Sequence, residues 1–244
     1  MTSKLYHECY THVCQARSLL QELQELGFNT IAPAVAPQSA DNDPVASAFE
    51  QPATMVETLS GLQEEVEQCR ACLLHAQRNT VDFGRGNPSA DLVFVGETTG
   101  YEEDQQGLPV LGEAGQLLDR ILFAMGLSPD DVYICSLIKC RPPANRDPLA
   151  NEVEACEPYL KRQLALLKPT VIVTLGRFAS QALLGVETPI SHLRGHWLTY
   201  AGTALMPTFH PAYLLRSPAE KKLVWEDMIK VKKKLEEARI RQAD

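Results

Sequence analysis

Four of the seven cysteines in this 244-residue chain are spaced so that they could bind one metal centre. They are Cys69, Cys72, Cys140 and Cys156. Two residues separate Cys69 from Cys72, which places their thiolates one helical turn apart. Four thiolates can hold either zinc or a 4Fe-4S cluster, although a zinc ribbon usually offers a second pair with the same short spacing, which this chain lacks. The spacing also allows a plainer interpretation, in which these are two unrelated pairs of small buried side chains.

Three polar residues each follow an apolar run of strand length. They are Glu97, Ser136 and His210. Carboxylate and imidazole groups are common general acids and bases, and a hydroxyl can both donate and accept a hydrogen bond. If the three runs are neighbouring parallel strands, the three side chains lie at the same edge of one sheet, where α/β proteins bind their ligands.

Alternating apolar runs and helical patterns predict the elements that would position these residues. Short apolar runs at 92–95, 132–138, 171–175 and 204–206 predict four strands. Helical spacing is found at 115–125, 151–167, 177–184 and 219–241. Strands that alternate with helices favour an α/β fold, a mostly parallel four-stranded sheet covered by helices on both faces in a three-layer α/β/α arrangement.

The chain divides by composition into an appendage, a linker and one domain. Leucines at helical spacing and a stop at Gly27 predict a helix over residues 1–27. Residues 28–55 are rich in Ala, Pro, Ser and Asp without periodicity, which is a linker composition. The domain is predicted to span residues 56–240.

Charge and hydropathy restrict the class of protein. No apolar run approaches the roughly 20 residues of a membrane span, and the N-terminus lacks the pattern of a signal peptide. We therefore expect a cytoplasmic protein with reduced cysteines and no membrane partner. The net charge of −8 does not favour a nucleic-acid partner, but residues 1–60 carry −5 of it, so the domain itself is nearly balanced.

Residues 59–235 resemble the iron–sulfur uracil-DNA glycosylases of family four. Any one of the motifs that carry the resemblance is weak, but together, in order, they are specific. The motifs are Cys69-x2-Cys72, Gly84-x-Gly86-Asn87-Pro88, Gly96-Glu97-x-x-Gly100-x-Glu102-Glu103-Asp104, Gly112-x-Ala114-Gly115-Gln116-Leu117-Leu118, Lys139-Cys140-Arg141-Pro142-Pro143-x-Asn145-Arg146, Cys156 and His210-Pro211-Ala212-Tyr213-Leu214-Leu215-Arg216.

The resemblance implies a DNA-repair hydrolase that flips a deaminated base, nominally uracil, out of DNA and breaks its N-glycosidic bond. The four cysteines would ligate a structural 4Fe-4S cluster. His210 would stabilise the departing base and Glu97 would orient water. Leu214 and Leu215 would fill the gap left by the flipped base. The other residues implied to contact the substrate are Gly96, Thr98, Val110, Ser136 and, at a phosphate, Arg216; Lys139, Arg141 and Arg146 could add phosphate contacts.

Three residues depart from the family's pattern. Thr99 stands where the first loop of the family has proline, and Val110 stands where a phenylalanine stacks on uracil. Ser136 replaces an asparagine that reads the uracil edge and rejects cytosine. A hydroxyl offers less than the paired donor and acceptor of an amide.

These departures leave two other functions open. One is a catalytically weak or inactive iron–sulfur module that binds DNA or a repair partner, with residues 1–27 as a possible protein-binding segment. The other is a glycosylase for a different base, or an enzyme of the same fold for another small substrate.

Overall fold

A computed structural model describes residues 57–243, which fall within one compact unit, Thr54–Asp244. The predicted helix 1–27 and linker 28–55 lie outside the described residues. Within them the strands are β1 Arg85–Gly86, β2 Leu92–Thr98, β3 Tyr133–Ile138, β4 Val171–Leu175, β5 Leu198–Tyr200 and β6 Thr203–Thr208. The α-helices in the same range are α1 Leu59–Glu67, α2 Tyr101–Gln106, α3 Gly112–Met125, α4 Ala150–Leu167, α5 Arg177–Leu184, α6 Ile190–Leu193, α7 Pro211–Arg216 and α8 Lys221–Ala243.

The strands form one mixed sheet in the order β1-β3-β2-β4-β6-β5. Its centre is the predicted set of four parallel strands, β3, β2, β4 and β6. The two outer strands, β1 and β5, pair antiparallel with their neighbours. The sequence did not indicate them because runs of two and three residues are too short to show a strand period. The predicted α/β fold is thus confirmed, with a six-stranded sheet in place of four.

Side chains that alternate along the central strands bury the two faces of the sheet under different helices. Leu92 and Phe94 of β2 face a core formed with α3, α7 and α8. Val93 and Val95, the alternate residues, face a core formed with α4 and α5. Because both faces are covered, residues on both sides of these strands are mostly apolar and buried, as in a parallel sheet between two layers of helices. These two cores give the predicted three layers.

A smaller apolar cluster attaches α1 to the body of the domain. Leu62 and Val66 of α1 pack with Phe83, and Tyr159 and Leu166 of α4 close the cluster. This contact fixes the segment after α1, which carries the first two of the four predicted metal ligands. In the part of the chain that the structure describes, no helix is both long and apolar enough to cross a membrane.

Candidate active site and metal centre

Glu97 and His210 line one cleft at the carboxyl ends of the parallel strands. Glu97 lies near the end of β2 and His210 follows β6 by two residues. The cleft encloses about 550 Å³. It is also lined by Asp147, Gly176, Arg177, Phe178, Ile190, Ser191, Arg194, Phe209, Tyr213, Arg216, Glu220 and Leu223. The topology therefore brings the two predicted catalytic residues to the same site, and its volume could accommodate a base.

The Glu97 carboxylate lies at the N-terminus of α5. Its Oε1 accepts a hydrogen bond from the backbone N–H of Phe178 at 2.8 Å. The chain can pass this close because residue 176 is glycine: its φ is +98°, and an added Cβ would lie 2.5 Å from the Glu97 carboxyl group. Burial raises the pKa of Glu97, while the N–H groups of Phe178 and Arg177 oppose that effect. The carboxylate is thus held in one position by a helix terminus.

His210 is fixed as a neutral hydrogen-bond donor. It caps α7, and its Nδ1 accepts the backbone N–H of Ala212 at 3.1 Å. In a neutral imidazole whose Nδ1 accepts, the proton is on Nε2. Burial, followed by the nearby Arg216 charge, lowers the pKa of His210 to about 4. At neutral pH the ring is therefore uncharged and offers one N–H donor.

A second group of predicted base contacts lies on β2, β3 and the loop before α3, outside the lining of the cleft. These residues are Gly96, Ser136 and Val110. A Cβ on Gly96 would lie 3.4 Å from Cγ2 of Val110 and 3.6 Å from Oγ of Ser136. Val110 is buried and has a φ of +50°, which is rare for a β-branched residue. Arg85 holds this turn by donating to the carbonyl oxygens of Pro109 and Val110 at 3.1 and 3.3 Å. The three residues are thus packed against one another, and Val110 and Ser136 are almost inaccessible to solvent in this structure.

Asp82 is a residue of this site that the sequence analysis missed. It is fully buried, and its Oδ2 accepts hydrogen bonds from Oγ of Ser136 at 2.7 Å and Oγ1 of Thr99 at 3.3 Å. Within residues 57–243, Oδ1 has no hydrogen-bond partner. Burial raises the pKa of Asp82 to about 6, although the Lys139 charge opposes it. The available signal was a lone acid in the apolar run Val81-Asp82-Phe83.

The adjacent threonines differ in their surroundings. Thr99 is buried and also donates to the carbonyl oxygen of Ile138 at 2.9 Å, so it belongs to the support of the Ser136 site. Thr98, predicted to contact the substrate, is half-buried at the end of β2. In the acidic run that follows, two residues hold the backbone: Asp104 accepts the N–H of Asn79 at 2.9 Å and Oε1 of Glu103 accepts the N–H of Leu111 at 2.7 Å.

The structure corrects one residue of the predicted wedge. Leu214 is fully buried in the core under α3, so it cannot reach DNA in this conformation. Leu215 is half-buried at the edge of the same core, and Arg216 is exposed and lines the cleft. The cause is the helical turn of α7, which directs consecutive leucines to different sides. Tyr213, which sequence reasoning did not select, also lines the cleft and stacks against Phe209 with ring centroids 4.9 Å apart.

The basic residues around Cys140 are used within the protein. Lys139 is fully buried and donates to the carbonyl oxygen of Phe83 and to Oε1 of Gln163, so it cannot contact a phosphate. Arg146 forms a two-bond pair with Glu152 at 2.9 and 2.6 Å.

The guanidinium of Arg141 lies 5.0 Å from the ring centroid of Tyr101. In the cleft, Arg194 is paired with the buried Asp227. Arg177 pairs with the exposed Asp147 at 3.1 Å. Arg177 and Arg216 are therefore the cations most available at the mouth of the cleft.

The four predicted ligand cysteines, Cys69, Cys72, Cys140 and Cys156, line one small cavity. The first two follow α1, Cys140 follows β3, and Cys156 lies on α4. Three N–H groups donate to their sulfur atoms: Arg78 Nη1 to Cys140 at 3.2 Å, Lys139 N to Cys156 at 3.4 Å and Ala71 N to Cys69 at 3.4 Å. Such donors stabilise thiolates and sulfide-bound metal centres.

The four thiols line a small cavity and do not converge on one position that a single metal ion could occupy. Among the residues that the structure describes, no group of three or more His, Cys, Asp or Glu side chains is arranged to hold one metal ion. Burial raises the pKa of Cys140 and, to about 12, that of Cys156, although the Arg78 and Lys139 donors lower them. A buried set of thiols needs a positively charged centre to become thiolate. Four thiols that line one cavity, three of them accepting N–H donors, form a donor set that could bind a metal centre.

Comparison with known proteins agrees with this arrangement. The family model described as the uracil DNA glycosylase superfamily matches residues 83–229. The chain is 42% identical over 185 residues to the type-4 uracil-DNA glycosylase of Thermotoga maritima, covering 73% of this chain and 95% of the relative. It is 40% identical over 190 residues to that of Saccharolobus solfataricus, covering 74% and 88%. It is 42% identical over 171 residues to that of Archaeoglobus fulgidus, covering 67% and 86%.

Proposed function

Because the chain belongs to the uracil-DNA glycosylase superfamily, we propose that it removes uracil from DNA by hydrolysing the N-glycosidic bond. The single observation that carries the proposal is the position of Glu97 and the neutral His210 in one cleft. A glycosylase must bring the base out of the stack into such a pocket. DNA is then the partner, and the cytoplasm, where reduced cysteines persist, is the proposed location.

His210 supplies the electrostatic part of the reaction. As the bond breaks, negative charge develops on the departing uracil and positive charge on the sugar. A donor on Nε2 stabilises the oxygen of that anion without first giving up a proton of its own. The backbone N–H of Ala212 keeps the ring in the required tautomer. The low pKa of His210 also matters. A cationic imidazole carries a proton on Nδ1, so it could no longer accept the hydrogen bond from the Ala212 N–H.

Glu97 serves the sugar side of the reaction. Its carboxylate is held at the N-terminus of α5, with one oxygen bonded to Phe178. The other oxygen can orient a water molecule towards the sugar carbon or counter the charge that develops there. Arg177 and Arg216 at the mouth of the cleft would contact the phosphates on either side of the flipped nucleotide. Leu215 remains the candidate for the wedge.

The cysteine cavity would hold a 4Fe-4S cluster. Cys69, Cys72, Cys140 and Cys156 are the proposed ligands, and the donors to sulfur from Arg78 and Lys139 fit an anionic cluster. The cluster would join the segment after α1 to β3 and α4, and its role would be to stabilise the fold. The reacting groups lie on other elements.

The test is a glycosylase assay. Single- and double-stranded oligonucleotides containing uracil, hypoxanthine or xanthine are incubated with the protein and cleaved with alkali. We expect strand breaks at uracil, and a His210→Ala variant should be about a hundredfold or more slower. The wild-type rate should fall as the pH drops below neutral, because Glu97, whose pKa burial raises, takes up a proton, and it should fall further near pH 4, where His210 is protonated.

Val110 and Ser136 favour one alternative, a protein that binds DNA without hydrolysing uracil. Valine offers no ring to stack on a base, which would forfeit about 1–3 kcal/mol. If DNA binds but no abasic site forms with any of the three bases, the enzyme proposal is wrong. Breaks at hypoxanthine or xanthine alone would mean a glycosylase for another base.

A further inference from the structure

An exposed tyrosine and an arginine lie next to each other where β2 and β3 end. Thr98 and Ile138 are paired at the ends of these two parallel strands. Tyr101 and Arg141 each come three residues after that pair, so the fold brings them together at the carboxyl edge of the sheet. The guanidinium of Arg141 lies 5.0 Å from the centroid of the Tyr101 ring, within the range of a cation–π contact. Tyr101 is nevertheless 59% exposed, so much of its ring is open to solvent.

A strained turn sets the position of Arg141. Its Nε donates a hydrogen bond to Oδ1 of Asn145 at 2.7 Å. Asn145 and the preceding Ala144 both have a φ of +54°, a left-handed conformation that is unfavourable for alanine. Within residues 57–243, Arg141 forms no ion pair. Its guanidinium is therefore oriented by an amide, keeps its full charge and is available to an external anion.

The three acids that follow Tyr101 in α2 are directed towards other segments. Oε1 of Glu103 accepts the backbone N–H of the residue that caps α3, at 2.7 Å. The carboxylate of Glu102 lies beside Gly112 in the first turn of α3, 2.8 Å from where a Cβ would be. Asp104 is buried. Tyr101 is therefore the residue of this helical turn that is presented to solvent beside the arginine.

The pair lies at the same edge of the sheet as the cleft, but outside its lining. Glu97, which lines the cleft, comes four residues before Tyr101. Asp147, which lines it too, comes two residues after Asn145. A DNA strand that places one nucleotide in the cleft would therefore bring a neighbouring nucleotide to Tyr101 and Arg141.

We propose that Tyr101 and Arg141 form a binding site for an unpaired nucleotide that neighbours the flipped one. Its base stacks on the open part of the Tyr101 ring, and its phosphate contacts the Arg141 guanidinium. Every base has a π face, so such a site selects unpaired DNA without selecting a sequence. This inference rests on the proposed function, because it assumes that DNA lies across the cleft.

The experiment measures the affinity of the full-length protein for single-stranded oligonucleotides that carry one 2′-fluoro-2′-deoxyuridine, which resists hydrolysis. Each nucleotide on either side of the uracil is replaced in turn by an abasic spacer, which keeps the phosphate and removes the base. At one position the wild-type protein should lose affinity by about five- to a hundredfold. Tyr101→Ala should bind the complete oligonucleotide that weakly, and removing the base should weaken it no further. Tyr101→Phe should keep the wild-type pattern, because its ring still stacks.

Arg141 is tested through the salt dependence of binding. Arg141→Ala should lower the slope of log affinity against log salt concentration by about 0.7, the value for one phosphate of a single strand, whereas Tyr101→Ala should leave the slope unchanged. If Arg141→Ala does not fold, Arg141→Gln is the second neutral replacement. Phe123→Ala is the matched control, since Phe123 is 84% exposed but lies near the end of α3 from which the chain enters β3, at the amino edge of the sheet. It should change neither the scan nor the slope.

The outcomes separate this inference from the proposed function. A wild-type protein whose affinity depends on no neighbouring base overturns the inference, as does a Tyr101→Ala protein that keeps the wild-type dependence. Equal losses in Tyr101→Phe and Tyr101→Ala also overturn it, because the hydroxyl and not the ring would then make the contact. An unchanged salt slope in the Arg141 variant overturns the phosphate contact. Failure to hydrolyse ordinary uracil DNA, with the Tyr101-dependent position present, overturns the proposed function alone.

Discussion

At the scale of single residues, this site depends on which hydrogen-bonding atoms remain available. His210 has one donor left after Nδ1 accepts from Ala212, and Ser136 has only lone pairs left after its hydrogen goes to Asp82. Neither residue is selective by type alone, since both imidazole and hydroxyl can donate or accept. In the fold, the hydrogen bonds with Ala212 and Asp82 determine whether each group donates or accepts.

Asp82 should make stability depend on pH in an unusual direction. Its folded pKa of about 6 lies above the ordinary value of 3.8, so the folded state retains a proton that the unfolded state releases. The Lys139 charge and the Glu103 charge act on it in opposite directions. Its contribution to stability is therefore greatest below about pH 4 and is lost as the pH rises to about 6.

Asp82→Asn removes this titration. We expect the variant to match the wild type in free energy of unfolding at pH 4 and to exceed it at pH 8 by up to roughly 3 kcal/mol. Urea unfolding at the two pH values measures the difference. A wild-type protein that gains stability relative to the variant between pH 4 and pH 8 would contradict the assignment.

At the scale of elements, α7 separates two neighbouring leucines by function. Leu214→Ala should cost about 2–5 kcal/mol of stability, because it leaves a cavity in the main core. Leu215→Ala, at the edge of that core, should cost less. It should instead slow uracil excision from duplex DNA by roughly tenfold, since the gap left by the flipped base is then unfilled.

Single-stranded DNA is the control for this pair. It has no partner strand from which to separate the base, so Leu215→Ala should excise uracil from it at nearly the wild-type rate. Equal losses on single- and double-stranded substrates would show that Leu215 is not a wedge. Urea unfolding checks that the Leu214 effect is one of stability.

At the scale of the whole molecule, the cysteine cavity joins three separate elements. The purified protein should absorb broadly near 400 nm and contain about four iron atoms per chain. Cys72→Ser should lose this iron and lower the thermal midpoint. Cys135→Ser is the control for iron content, because Cys135 is a buried cysteine of β3 that does not line the cavity. A colourless protein that contains zinc would refute the cluster.

Much of the fold could be predicted from the sequence because the central strands are apolar along their length and alternate with helices. The four cysteines could be selected as candidate ligands for a different reason: their residue type and their order in the chain can be read from the sequence without knowing the fold. β1 and β5 could not be predicted, since runs of two and three residues are identified as strands only by their pairing with the neighbouring strands.

The parts of the site that were missed depend on contacts between distant positions. Asp82 is one acid in an apolar run until Ser136 lies 2.7 Å away. Lys139 resembled a phosphate ligand because its neighbours are basic. In the fold it is buried, and its Nζ donates hydrogen bonds to Gln163 and to the carbonyl oxygen of Phe83. Leu214 and Leu215 are equivalent by type, and only the packing of α7 on α3 distinguishes them.

The docking of α1 on α4 has a consequence for how the protein matures. Leu62, Val66 and Phe83 form an apolar contact that needs no metal, and Arg162 of α4 adds bonds to Glu57 and Glu65 at 2.7 and 2.8 Å. This contact holds Cys69 and Cys72 beside the other two thiols without help from a metal. If the proposed cluster is bound there, we expect the chain to fold first and to acquire the cluster afterwards, so that the apoprotein can be reloaded.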